Sequence, residues 1–105
     1  MSLSALETRL AALAAAGETI SYGSLARDLG LRMAALTSAL ETLMQADLAA
    51  RRPLRAALCR ARLGSGLPAR GFFDHAAALG LVIADHDAFI AAERAALFAA
   101  ASQGS

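Results

Sequence analysis

Leu25-Ala26-Arg27-Asp28-Leu29-Gly30-Leu31, followed by Ala35-Leu36 and Ala39-Leu40, is the stretch on which the fold turns. Leu25, Ala26 and Leu29 share one face of a helix running from about Tyr22 to Leu29, and Gly30 supplies the left-handed position that ends it. A longer helix follows from about Met33 to Ala49, because Leu36, Leu40, Leu43, Met44 and Leu48 recur at helical spacing. Only Leu31 and Arg32 remain after Gly30, so the two apolar faces must meet across a tight turn.

Upstream, Ser4-Ala5-Leu6-Glu7 fits a capping box, in which the Ser4 hydroxyl and the Glu7 carboxylate each satisfy an orphan amide. That predicts a first helix to about Ala16, with Leu6, Leu10 and Leu13 inward and Gly17 as its terminator. Glu18-Thr19-Ile20-Ser21 places Thr and Ile together in a chain poor in both, which predicts a very short strand, and Ser21 can cap the helix beyond it. Helix, short strand, helix, tight turn and longer helix is the opening order of a winged helix.

Downstream, residues 51–63 admit two readings. As a helix, Leu54, Ala57, Leu58 and Ala61 form one apolar stripe with Pro53 in the first turn. As a strand, Leu54, Ala56 and Leu58 alternate with Arg55, Ala57 and Cys59 and give the edge at Ile20 a partner. Propensity favours the helix and the order of elements favours the strand; the strand is the expectation taken forward. Gly64-Ser65-Gly66-Leu67-Pro68-Ala69-Arg70-Gly71 is a turn or loop on either reading. Phe72, Phe73, Ala76, Ala77 and Leu79 predict a short helix closed by Gly80. Asp85 or Asp87 then caps a last helix to about Ala101, lined by Phe89, Ile90, Leu97 and Phe98.

The expected fold class is therefore mainly α with a small β element. It is a winged helix-turn-helix-like single domain over residues 1–101 with additional C-terminal helices, and residues 102–105 form a frayed tail. Composition agrees with the helices. The chain has 105 residues, 57% of them hydrophobic, with 29 Ala and 18 Leu against one Val and three Ile. Ala inflates the mean hydropathy of +0.48, and no uncharged run approaches the roughly 20 residues of a membrane span. The first residues hold Glu7 and no basic cluster, unlike a secretory signal, so a cytoplasmic location with no membrane contact is expected, with the lone Cys59 unpaired.

The run from Leu25 to Leu40 resembles the helix-turn-helix of the phage repressor class. Ala26 matches the small position where the two helices touch, Gly30 the turn, and Leu29, Leu31, Leu36 and Leu40 the apolar positions. The resemblance covers about 20 residues and implies DNA contact by the second helix of the pair. Ile20-Ser21-Tyr22-Gly23-Ser24-Leu25-Ala26 is also similar to the corresponding stretch in the DNA-binding half of alkyltransferases and alkyltransferase-like proteins. Their reactive Cys lies in Pro-Cys-His-Arg, whereas Leu58-Cys59-Arg60 has neither the Pro nor the His.

The net charge of +1 conceals a segregation. Arg51, Arg52, Arg55, Arg60, Arg62 and Arg70 fall within twenty residues that contain no acid, while the segments on either side are net negative. Arginines on a wing can neutralise phosphates without reading sequence. The outward face of the 33–49 helix offers Arg32, Met33, Ala34, Thr37, Ser38 and Glu41, of which only Arg32 is a strong base or phosphate donor. The nucleic-acid contacts expected are Arg32, Thr37, Ser38, Arg51, Arg52, Arg55, Arg60 and Arg62, on DNA read with low specificity.

The competing expectation is a non-enzymatic interaction module, with Phe89, Ile90, Leu97 and Phe98 on the last helix binding a protein partner or a second copy. No catalytic residue, metal or cofactor is expected. Asp85-His86-Asp87 and Asp74-His75 offer ligand types on diverging directions. Cys59 with His75 lacks a local cause for a lowered thiol pKa beyond Arg60, and Gly64-Ser65-Gly66 lacks the spacing and Lys of a nucleotide loop.

Overall fold

In the computed structural model, residues 3–62 and 64–103 are described. The elements, in order, are α1 (Leu3–Ala16), β1 (Ile20–Ser21), α2 (Tyr22–Leu29), α3 (Met33–Ala49), a 3-10 turn (Arg55–Leu58), β2 (Cys59–Arg60), α4 (Arg70–Ala78) and α5 (His86–Gln103). The fold is mainly helical with one minimal sheet, in which β1 and β2 run parallel with Ile20 opposite Cys59 and Ser21 opposite Arg60.

Glycine in the left-handed region ends α1 and α2. At Gly17 (φ +70°) the amide of Glu18 reaches the carbonyl of Leu13, and at Gly30 (φ +66°) the amide of Leu31 reaches that of Ala26. The end of α3 has the same bonding, with the Arg52 amide on the Asp47 carbonyl, but Arg51 occupies the left-handed position at φ +57°. The start of α2 is capped by Ser21, whose Oγ accepts from the Ser24 amide at 3.2 Å, and that of α5 by Asp85, whose Oδ1 accepts from the Ala88 amide at 3.0 Å.

The core is a single cluster around the 3-10 turn. Leu6, Leu10 and Leu13 from α1, Leu25 from α2, Leu36, Leu40, Leu43 and Met44 from α3, Phe72 and Ala76 from α4, and Ile90 and Leu97 from α5 close on it. The turn itself contributes Ala56, Ala57 and Leu58, flanked by Leu54 and Cys59, all buried.

Several expectations from sequence are corrected. The segment around residues 53–62 is neither the alternating strand nor a longer helix; four consecutive buried residues, Ala56 to Cys59, with Leu54 buried before them, leave no solvent face for alternation. Only Cys59–Arg60 pairs with β1, although that is the pairing expected. The Ser4-Glu7 capping box does not form as drawn, because α1 starts at Leu3 and the Glu7 carboxylate accepts from Arg55 Nη1 at 2.8 Å. Ser102 and Gln103, expected to fray, continue α5, and residues 104–105 lie outside the described residues.

The face of α5 offered as a partner surface is a core face. Ile90 is 1% and Leu97 9% exposed, and Phe89 and Phe98 pack half-buried against the same cluster. A chain with four Phe and no Trp needs these side chains for its own interior. No described helix is long and apolar enough to cross a membrane.

Candidate binding cleft

The basic segment is divided by where each arginine finds an acid. Asp47 lies on the inward stripe of α3, at helical spacing from Leu36, Leu40 and Leu43, and is fully buried. Its carboxylate accepts from the Arg55 backbone amide at 3.0 Å and from Arg55 Nε at 3.1 and 3.2 Å, and it pairs with Arg55 Nη2 at 2.9 Å and Arg52 Nη2 at 3.1 Å. Arg55 also donates to Glu7 at 2.8 Å and has only 21% of its side chain exposed. Burial works against the guanidinium's charge, but Asp47 and Glu7 outweigh it and raise its pKa above the ordinary value.

These contacts remove Arg55 from the expected nucleic-acid surface and commit Arg52 to an internal acid. Arg60 is half-buried on β2, with Nη1 enclosed and without a hydrogen-bond partner among the described residues. Arg32, Arg51 and Arg62 are exposed, and the first two stand apart. Arg32 precedes α3, Arg51 follows its far end, and a 17-residue helix separates their positions by about 25 Å. Thr37 and Ser38 are exposed between them, with the Ser38 carbonyl accepting from Thr42 Oγ1 at 3.1 Å.

Two residues of α5 that the charge pattern did not single out hold the centre. Glu93 Oε1 accepts from the Leu54 amide at 3.1 Å. Arg94 donates from Nε to the Ala57 carbonyl at 2.7 Å, and from Nη2 to the carbonyls of Gly66 at 2.9 Å and Cys59 at 3.4 Å. Burial lowers the Arg94 pKa, partly opposed by Cys59 and Tyr22, with Arg60 adding to the lowering. The thiol of Cys59 is wholly buried, and burial pushes it up to about 12 with Arg94 opposing. It is a small core filler here, not a nucleophile poised at a surface.

A cleft of about 500 Å³ opens along the flank of α3 where its core stripe meets its exposed face. Met33, Thr37, Leu40, Glu41 and Met44 form one wall at the spacing of a single helical stripe, and Tyr22 and Gly23 close one end from α2. Ala56 lies at its base, and Ala61, Arg62, Ala69, Gly71 and Phe72 form the opposite wall. The loop carrying that wall is closed by the Ala61 amide on the Leu67 carbonyl at 2.8 Å. Tyr22 ties the wall to α2, its hydroxyl accepting from the Ala69 amide at 3.0 Å. Burial raises the Tyr22 hydroxyl to about 12 against that bond, with Cys59 raising and Arg94 lowering it further.

The cleft is apolar with a sparse polar margin. Met33 is 48% exposed at its mouth. Arg62 is exposed and has no acidic partner among the described residues, while Glu41 is turned to His75, with Nδ1 3.8 Å from its carboxylate. The remaining candidate ligands are dispersed. Asp85 caps α5, His86 stacks on Phe73 with ring centroids 3.8 Å apart, and among the described residues no three His, Cys, Asp or Glu side chains converge.

Of the residues expected to contact nucleic acid, Thr37 and Arg62 therefore meet at this cleft; Arg52 and Arg55 turn to Asp47. The apolar lining was missed because Leu40, Met44 and Phe72 satisfy the core pattern as well. The legible signal was the second stripe, 33-37-41-44, whose end members are methionines in a chain otherwise filled by Ala and Leu. No known protein family, curated protein or solved structure matches the chain.

Proposed function

We propose that this chain is a non-enzymatic binding module in which a helix-turn-helix-like pair, α2 and α3, serves as a scaffold and the cleft along the flank of α3 receives an apolar partner. The observation carrying this reading is the character of that surface. Where a base-reading helix presents donors to a groove, α3 presents Met33, Leu40 and Met44 to a concave space walled by Phe72 and Ala69. Concave, mostly apolar sites with few polar groups are the usual form of a ligand pocket, and 500 Å³ falls within the common range of about 300 to 1,000 Å³.

The test uses a neutral apolar dye, N-phenyl-1-naphthylamine, titrated against the folded protein. Its fluorescence is expected to rise saturably, and Thr37→Trp, which places an indole in the mouth from an exposed helical position, is expected to abolish the rise while leaving the unfolding midpoint unchanged. Saturable binding that survives Thr37→Trp refutes the reading.

A second reading, a winged helix-turn-helix domain contacting DNA phosphates, has one observation in its favour. Arg51 occupies a left-handed backbone position that the chain fills with Gly at the ends of α1 and α2, and it is exposed without an acidic partner among the described residues. A charge kept there at a cost in backbone strain is consistent with an outward role. Fluorescence anisotropy with a labelled duplex decides it. The reading requires strongly salt-dependent binding that weakens in Arg32→Ala, Arg51→Gly and Arg62→Ala, and is refuted if the triple variant binds as the parent does.

A further inference from the structure

We infer that the natural occupant of the cleft is a small apolar carboxylic acid, an aliphatic or aromatic body with one ionised carboxylate that Arg62 receives. This inference rests on the binding-module reading and adds the chemical class of the ligand. The apolar body follows from the walls, Tyr22, Leu40, Met44, Ala56 and Phe72, which offer dispersion contacts and almost no hydrogen-bonding groups. The hydroxyl oxygen of Tyr22 is already accepting from the Ala69 amide.

The acid follows from the charges at the margin. Arg62 is the one cation among the lining residues, it is exposed, and it has no carboxylate partner among the described residues. The other charged group of the lining, Glu41, faces His75. A single guanidinium with its fork unfilled matches the two oxygens of a carboxylate. It matches a phosphodiester backbone poorly, since that would need several such cations in a row.

A small molecule, not a peptide, fits the enclosure. The cleft is bounded by α2 at one end, α3 along one side, the 3-10 turn beneath, and Ala61, Arg62 and Ala69 with the start of α4 opposite. The Ala61 to Leu67 and Ala69 to Tyr22 hydrogen bonds brace that wall.

Competition against bound N-phenyl-1-naphthylamine at pH 7 tests the inference with octanoate and 1-octanol as probes. The two share a chain length, and the alcohol is the more hydrophobic, so an apolar cleft alone favours octanol. The expected result is that octanoate displaces the dye at about tenfold lower concentration than octanol, and that Arg62→Gln removes this preference, each displacement being referred to the dye affinity of the same variant. Octanol displacing as well as octanoate, or an unchanged preference in Arg62→Gln, overturns the inference while leaving the apolar cleft intact. Failure of octanoate to displace bound dye also overturns it. Failure of the dye itself to bind refutes the broader reading instead.

Discussion

Asp47→Asn is the substitution from which the largest loss of stability is expected for the smallest change in shape. The wild-type carboxylate is fully buried and receives the Arg55 amide, the Arg55 guanidinium and the Arg52 guanidinium. Asn keeps one oxygen for the amide but turns an NH2 donor toward two cations. Removing one partner of a buried ion pair costs about 3 to 5 kcal/mol. Arg52 has 53% of its side chain in water and can be solvated instead, so the lower end, about 3 kcal/mol, applies. For a domain of this size that lowers the unfolding midpoint by about 12 °C or more. Urea unfolding followed by circular dichroism measures it, with Arg52→Ala as the control, expected to lose about 1 kcal/mol or less. A double-mutant cycle with Arg55→Met should return a coupling of about 1 to 3 kcal/mol. A loss under about 1 kcal/mol for Asp47→Asn, or one no larger than that of Arg52→Ala, refutes the claim that this carboxylate organises the segment.

The remaining predictions concern the caps, the core and alkaline pH. Arg51→Gly is expected to stabilise the fold by about 0.5 to 1 kcal/mol in urea titrations, because φ +57° costs an L-residue about 1 kcal/mol or more while Gly's greater freedom when unfolded returns part of the gain. Ile90→Ala should cost about 2 to 5 kcal/mol by the same titration and leave the sedimentation coefficient unchanged, since Ile90 is 1% exposed within the chain's own core. Cys59 and Tyr22 both have folded pKa values raised to about 12. Folded molecules therefore hold those protons more tightly than unfolded ones, so stability is full below about pH 8.5, where the unfolded thiol begins to ionise, and declines toward pH 12. Stability measured from pH 8 to 11 should fall less steeply in Tyr22→Phe, and Cys59 should resist iodoacetamide until urea unfolds the chain.

The first two helices were legible because each carries its own punctuation. Leu25, Ala26 and Leu29 ahead of Gly30, and Leu6, Leu10 and Leu13 ahead of Gly17, join an apolar stripe to a residue able to take positive φ, and both signals lie within a few residues of each other. Residues 53–62 have no such local determinant. The 3-10 turn is shaped by Glu93 and Arg94 from 37 to 39 positions away and by Asp47 from eight, and no periodicity records partners at such distances. The surface role given to Phe89, Ile90, Leu97 and Phe98 failed for a related reason. An amphipathic helix reads alike whether its apolar face meets another chain or its own core, and only the packing of α5 against α1 and the turn decides.

The arginine cluster takes on a different meaning once its acids are located. A chain with one Val and three Ile has little means of holding its central segment by sheet pairing, and the sheet it forms is two residues long on each strand. The backbone groups of that segment still require partners once buried. Charged side chains supply them. Asp47 takes the amide of Arg55, Glu93 that of Leu54, and Arg94 the carbonyls of Ala57 and Cys59. Arg55 and Arg52 then neutralise Asp47. Two arginines of the cluster are thus counterions to the acid that fixes the turn. The cleft depends on this arrangement, because the turn places Ala56 at its base and Arg94, through Gly66, anchors the loop that walls it. Arg94→Met should accordingly loosen residues 64–69, raising amide exchange there before it lowers global stability. It should weaken dye binding in the cleft although Arg94 lines no part of it. Undiminished dye affinity in Arg94→Met, with exchange raised, would show that the cleft does not need a fixed wall.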